Sequence, residues 1–192
     1  MSDKIYLVAN NGSLTTAHID QIGINPPEDV VVLFNYMYVP YDSFDNVANR
    51  IAFLRVVYEN HEENIHYLGG VEFLEKQNDF SKLVCVDDYG KYSEYTSNVT
   101  IPHELLHVES FLSEHTNIEY PDSKIPTTGF LAFLYMKRLY PNSEITLVGF
   151  TGHYADGSVP SDSHHDYNWE QSYYKQNDVK RICTTQHMDS ST

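Results

Sequence analysis

Residues 5–35 have the sequence IYLVANNGSLTTAHIDQIGINPPEDVVVLFN, and this stretch decides the fold class. The apolar run 5–9 ends in the turn sequence Asn-Asn-Gly-Ser, and one or two helical turns closed by Gly23 follow it. The second apolar run, 30–34, is rich in valine and ends at Asn35, which is typical of a buried strand. A strand, a turn, a short helix and a buried strand in this order indicate an α/β protein.

The alternation of strands and helices continues along the chain. Further strands are predicted at residues 52–58, 65–68, 82–86 and 144–150. The first of these patterns is equally compatible with a helix. Helices are predicted at 103–115, which follow a proline, and at 130–140, which are apolar on nearly every face. We therefore expect one α/β domain over residues 1–192, a Rossmann-like sandwich that binds ligands at the carboxyl ends of its strands.

The composition excludes several classes of partner. The chain has 12 Lys and Arg against 27 Asp and Glu, a formal net charge of −15, so it repels phosphate backbones and is not expected to bind nucleic acid. Two cysteines are too few for a disulfide scaffold. The sequence contains no run of 18 apolar residues, so no membrane span is predicted. We expect a reduced, cytoplasmic chain without a signal peptide, frayed over about residues 186–192, whose contact with any membrane would be peripheral.

The sequence HELLH at residues 103–107 matches the HExxH motif of zinc peptidases. In that motif two imidazoles one helical turn apart bind the metal and the glutamate activates a water molecule. The longer metzincin pattern is not continued, because Ser110 and Ser113 stand where it has glycine and histidine. A third ligand would have to be Glu114 or Glu119, neither at a diagnostic spacing. A zinc-dependent hydrolase is therefore one alternative, and a solvated helix face is the simpler interpretation.

Three other segments carry residues suited to ligand binding. Asp87-Asp88 ends a predicted strand and is either a cation-binding pair or, more simply, an acidic turn. Thr127 precedes the most apolar helix, whose first N–H groups would bind a phosphate or carboxylate, unless the threonine is only a helix cap. Residues 151–166 are predicted to form a long surface loop that ends in His164-His165, and a histidine held in a cleft beside a carboxylate can act as a base.

Four segments, taken in order, resemble the motifs of the eukaryotic-type sialyltransferase family. VANNGSL with EDVVVLFN resembles the large motif, and PTTGFLAFLYMKRLYPNSEITLVGF resembles the small motif. His153-Tyr154 resembles the third motif, and His165 with Glu170 resembles the very small motif, H-x4-E. The chain departs from the family at Ala9 and Leu33, where the large motif has a glycine and an arginine, and it has no counterpart of the disulfide that links the motifs.

The resemblance implies a modified GT-A-like sialyltransferase fold and an inverting, metal-independent glycosyltransferase without a cofactor. Such an enzyme moves a sialic acid or Kdo-type sugar from a CMP donor to a hydroxyl of a glycan or glycolipid. It further implies that His165 is the catalytic base and that Glu170 supports the local geometry. His153 and Tyr154 would stabilise the departing phosphate. The nucleotide would be held by Asn10, Ser13 and Asn35, together with the helix end Thr127, Thr128 and Gly129. A non-catalytic nucleotide- or glycan-binding domain remains a further alternative.

Overall fold

Seven strands and five α-helices make up the described part of the chain. The structure, a computed structural model, describes residues 4–11, 14–35, 41–55, 70–87, 96–114, 118–152 and 164–182. The strands are β1 (Ile5–Val8), β2 (Val30–Phe34), β3 (Asn49–Arg55), β4 (Lys82–Asp87), β5 (His103–His107), β6 (Ile145–Val148) and β7 (Lys180–Ile182). The helices are α1 (Thr16–Ile22), α2 (Gly70–Lys76), α3 (Val108–Glu114), α4 (Thr128–Leu139) and α5 (Tyr167–Gln176). Two short 3-10 turns lie at Tyr41–Phe44 and Gln77–Asp79.

All seven strands are parallel and form one sheet in the order β5-β4-β3-β2-β1-β6-β7. The central strands are continuous apolar runs because both faces of the sheet are covered. On one face, Leu7, Val32 and Phe53 pack in a core that includes seven consecutive buried residues of α4. On the other face, Leu33 and Leu83 pack in a core with residues of α1 and α2. This architecture is compatible with a Rossmann-like fold.

The sheet has a topological switch point between β1 and β6. From β1 the chain builds outward through β2, β3 and β4 to β5, then returns to place β6 on the other side of β1. The helices that follow β1 and β5 cover opposite faces of the sheet, since α1 packs in one core and α4 in the other. At such a point the loops that leave the two neighbouring strands diverge and open a crevice at their carboxyl ends.

The central elements agree with the sequence predictions. The strands at 5–9, 30–34, 82–86 and 144–150 are present with small shifts at their ends, and the pattern at 52–58 is a strand that begins at Asn49. The two helices on either side of the sheet core, α1 and α4, are also confirmed. The strand predicted at 65–68, most of the loop predicted at 151–166 and the end at 186–192 lie outside the described residues. The sequence patterns do not predict helices α2 and α5 or strand β7.

The helix predicted over residues 103–115 is wrong in its first half. Residues His103–His107 form β5, and the helix begins only at Val108. The strand pairs with β4 along its whole length, from Leu83 beside His103 to Asp87 beside His107. The pairing provides hydrogen-bond partners for the backbone N–H and C=O groups on one side of β5, and it buries Leu106. A local sequence pattern contains no information about the pairing or the burial.

No helix among the described residues is both long and apolar enough to cross a bilayer.

Candidate functional site

A cavity of about 300 Å³ opens at the carboxyl ends of β1, β2 and β6, at the switch point of the sheet. Its walls come from the residues at and after the ends of these strands, from the start of α4, and from His165 with the first turns of α5. It brings together seven of the residues that the motif resemblance selects: Asn10, Asn35, Thr127, Thr128, Gly129, His165 and Glu170. Ser13, His153 and Tyr154 lie outside the described residues.

Asn11 links the ends of β1 and β6, the two strands at the switch point. Its buried side-chain amide donates a hydrogen bond to the carbonyl of Gly149 at 2.9 Å, across 138 residues of chain. Gly149 has φ 75°, and a Cβ added there would lie 2.8 Å from the Cδ1 of Leu14. Only glycine meets both the backbone angle and the close approach at this position. The floor of the cavity is therefore tightly packed.

Asn10 presents a side-chain oxygen whose hydrogen-bonding capacity is unused within the described chain. Its Oδ1 is buried, yet it accepts no hydrogen bond from any residue that the structure describes. A buried polar atom without a partner is unfavourable by about 1–3 kcal/mol. A ligand that donates an N–H or O–H group to this atom would remove the penalty, so Asn10 is suited to bind an amine or hydroxyl in the cavity.

Asn35 holds the end of β2 in an uncommon backbone conformation. Its φ is 35°, in the left-handed region that asparagine tolerates better than most residues. Its Oδ1 accepts the main-chain N–H of Arg55 at 2.8 Å, and its own N–H donates to Phe53 at 3.1 Å. Since the side-chain oxygen already serves the fold, a ligand would be bound through the amide nitrogen, which donates.

The start of α4 is fixed by Thr127 and packed closely against Phe150. The Thr127 hydroxyl accepts the N–H of Phe130 at 3.0 Å and donates to Glu170 Oε2 at 2.7 Å. This hydroxyl is therefore engaged inside the protein. The N–H groups of Thr128 and Gly129 have no preceding helical carbonyl to bind and carry the positive end of the helix dipole. Gly129 allows the close approach, because a Cβ there would lie 2.5 Å from the Phe150 ring.

Glu170 is a carboxylate buried beneath the helix end. It is 3 % exposed and accepts three hydrogen bonds, from the Tyr120 hydroxyl at 2.9 Å and from the N–H and hydroxyl of Thr127, each at 2.7 Å. Burial raises the pKa of Glu170 from its ordinary 4.5 to about 7, although these donors and Arg55 act in the opposite direction. The group therefore changes its charge near neutral pH.

One peptide group at the start of α4 is held by two buried ionisable side chains of opposite sign. The Arg55 guanidinium donates to the carbonyl of Pro126, and Glu170 accepts the N–H of Thr127. Arg55 is 6 % exposed and ends β3. It helps to orient this helix, and the sequence does not single it out, because an arginine at the end of an apolar run has no local signature.

His165 is held in a defined orientation at the edge of the cavity. Its Nδ1 lies 2.6 Å from the carbonyl oxygen of Ile125, and this contact assigns the ring hydrogen to Nδ1. The neutral ring then carries its lone pair on Nε2, the atom that can take a proton. The neighbouring Asp166 caps α5 by accepting the N–H of Trp169 at 2.9 Å.

The HELLH segment lies away from this cavity, on the edge strand. His103 and His107 are four residues apart on a strand, which separates them by about 13 Å along the chain. The geometry of the HExxH motif, with two imidazoles one helical turn apart, is therefore not formed here, and no group of three or more His, Cys, Asp and Glu side chains that could hold a metal ion is found among the described residues. His107 instead lies beside the last residue of β4, with its Nδ1 3.6 Å from Asp87 Oδ2. Asp88 lies outside the described residues.

Comparison of the chain with protein-family models, with curated proteins and with solved structures finds no match. The interpretation of the cavity therefore rests on its geometry and on the motif resemblance. Two residues that matter there, Arg55 and Tyr120, belong to none of the motifs. The contacts of Arg55 with Pro126 and of Tyr120 with Glu170 join positions 71 and 50 residues apart, so no local pattern could have identified them.

Proposed function

We propose that this chain is an inverting, metal-independent glycosyltransferase that moves a sialic acid or Kdo-type sugar from a CMP donor to a hydroxyl of a glycan or glycolipid. One observation carries the proposal. The motif residues that resemble the sialyltransferase family are spread from Asn10 to Glu170, and those within the described chain line one cavity at the switch point. Parallel α/β sheets bind their ligands at such points. The parallel sheet is compatible with a Rossmann-like fold, and the modified GT-A-like form of it is part of the proposal.

The start of α4 supplies hydrogen-bond donors that suit an anionic donor. A CMP-linked 2-keto acid sugar carries a phosphate and a carboxylate, and the first-turn N–H groups of Thr128 and Gly129 are suited to bind either one. Behind them lies the buried guanidinium of Arg55, which adds a positive charge in a protein that is strongly acidic overall. Asn10 and Asn35 would contact polar groups of the nucleotide, one as a hydrogen-bond acceptor and the other as a donor.

His165 is proposed as the base. The acceptor hydroxyl gives its proton to Nε2 of His165 as its oxygen forms a bond to the anomeric carbon. At the same time the bond from that carbon to the phosphate oxygen breaks, and CMP leaves with the electron pair. Attack on the face opposite the leaving group inverts the configuration. The Ile125 carbonyl at Nδ1 stabilises the positive charge that the ring acquires.

Nucleotide binding is the first test of the proposal. Calorimetric titration of the metal-stripped protein with CMP, with UMP and AMP as controls, should show selective binding of CMP. Asn10→Ala should weaken that binding by about tenfold, the value of one hydrogen bond at a buried acceptor. Equal binding of all three nucleotides, or none, would contradict a CMP-specific site.

The base assignment is tested by a pair of neighbouring variants. His165→Ala should reduce the release of CMP from CMP-N-acetylneuraminic acid or CMP-Kdo in the presence of an acceptor by about 10²–10⁴-fold, with CMP affinity largely retained. His164→Ala is the matched control and should keep most of the activity, because His164 meets the Ile125 N–H through its main-chain oxygen, which the substitution preserves. Full activity of His165→Ala would refute the assignment. CMP binding without release from either donor would favour a non-catalytic nucleotide-binding domain.

A further inference from the structure

The segment 118–125 lies against the start of α5 and holds His165 through its last residue. Ile125 donates its N–H to the carbonyl of His164 at 2.7 Å, and its own carbonyl meets Nδ1 of His165 at 2.6 Å. The main-chain N–H of Ile125 therefore contacts His164, and its carbonyl contacts His165. The position of the proposed base depends on where this segment lies.

Tyr120 connects this segment to α5 through a single hydroxyl. The hydroxyl oxygen lies 2.9 Å from Glu170 Oε1, 3.3 Å from the Ile125 carbonyl and 3.5 Å from the main-chain nitrogen of Asp166. Two of these groups lie next to His165: the Ile125 carbonyl orients its ring, and the Asp166 nitrogen belongs to the residue that follows it. Burial raises the pKa of Tyr120 well above its ordinary value, so the phenol remains a donor.

The ring of Tyr120 is itself held in place. It packs edge-on against Trp169 with ring centroids 4.9 Å apart, and its ring is tilted against that of Phe130 with centroids 5.7 Å apart. Trp169 belongs to α5 and Phe130 to α4, so the ring touches both helices that border the cavity. Tyr120 is not among the described residues that line the cavity, and any effect on the reaction must pass through its neighbours.

We propose that Tyr120 is a positioning residue of this site: its hydroxyl ties segment 118–125 to the start of α5 and thereby fixes the ring orientation and tautomer of His165. The inference rests on the proposed function for the role of His165 as base. The arrangement of the hydrogen bonds does not depend on it.

The test compares Tyr120→Phe with Tyr173→Phe. Tyr173 belongs to the same aromatic cluster, with its ring centroid 5.4 Å from Trp169 and 5.2 Å from Phe130, and its hydroxyl bonds to no residue of the described chain. Nitrogen-15 NMR of the imidazole rings, assigned with His165→Gln, reports the tautomer of His165. In the wild type the neutral ring should be the Nδ1–H tautomer. In Tyr120→Phe the signals should move toward a mixture of tautomers, and in Tyr173→Phe they should not move.

Activity provides the second readout. Tyr120→Phe should reduce kcat for CMP release from CMP-N-acetylneuraminic acid by about tenfold with KM nearly unchanged, the loss expected for one hydrogen bond that positions a catalytic group. A wild-type tautomer together with wild-type kcat in Tyr120→Phe would overturn the proposal. If wild-type protein binds no CMP while the tautomer still depends on Tyr120, the proposed function fails and the positioning of His165 stands.

A measurement on the wild type keeps the proposal testable if Tyr120→Phe does not fold. The N–H of Asp166 lies before the first turn of α5 and points to the Tyr120 hydroxyl. We expect its hydrogen exchange to be slower than that of an unstructured peptide. Exchange at the unstructured rate would show that the hydroxyl does not hold this segment, and it would overturn the proposal.

Discussion

Replacing Glu170 by glutamine should change how the stability of this protein depends on pH. The carboxyl group has an ordinary pKa of 4.5, and burial raises the pKa in the folded state to about 7. Below pH 4.5 the group is protonated in both states, and above pH 7 it is ionised in both. Between these values the unfolded chain ionises while the folded chain stays protonated, so stability falls as the pH rises.

The magnitude follows from the difference between the two pKa values. Each pH unit in the window is worth about 1.36 kcal/mol, so the whole window amounts to about 3 kcal/mol. Between about pH 5 and about pH 8 the wild type should lose about 2.5 kcal/mol of unfolding free energy relative to Glu170→Gln, because part of the window lies below pH 5. Glutamine keeps the shape and an acceptor oxygen, so its other effects are a constant offset.

Urea unfolding at several pH values measures this difference. Trp169, the only tryptophan, precedes Glu170 in sequence and packs on Tyr120, so its fluorescence reports the unfolding of the structure around Glu170. All other ionisable groups are common to both proteins, so their contributions to the pH dependence cancel. Glu144→Gln is a suitable control, because Glu144 is exposed and its pKa is lowered by Lys180, and it should show no loss of stability with rising pH.

A difference between wild type and Glu170→Gln that stays constant from about pH 5 to about pH 8 would refute this reasoning. It would mean that Glu170 ionises in the folded protein as readily as in the unfolded chain. The carboxylate could then not be buried beneath α4.

Two other substitutions test the packing around the cavity. Gly149→Ala should lower the melting temperature more than Gly23→Ala does. Both positions have positive φ, but only at Gly149 would the new Cβ meet a neighbour, Leu14 Cδ1 at 2.8 Å. Equal decreases in the melting temperature would contradict the close approach. Tyr174→Phe should leave stability unchanged or raise it by about 1 kcal/mol, since the buried Tyr174 hydroxyl bonds to no residue of the described chain. A clear loss of stability in urea unfolding would reveal a hydrogen bond there.

The sequence by itself determined the centre of the sheet and the long helix beneath it. Residues 5–8, 30–34 and 83–86 are apolar runs followed by turn sequences, and residues 130–136 of α4 are apolar without interruption. Such segments have to be buried on all sides, so local composition alone predicts their state. The motif residues can also be recognised in the sequence, because each motif is a short continuous stretch of chain.

Only the tertiary structure decided the edges of the sheet and the interior of the site. HELLH has helical spacing but forms β5, because pairing with β4 is available to it. The sequence of α5 is mostly polar and gives little indication of the helix, which buries Glu170 and Tyr174 against the rest of the fold. The contacts of Glu170 with Tyr120 and Thr127 join residues 50 and 43 positions apart. Pairing partners and burial of this kind arise from the assembled chain, and no local pattern encodes them.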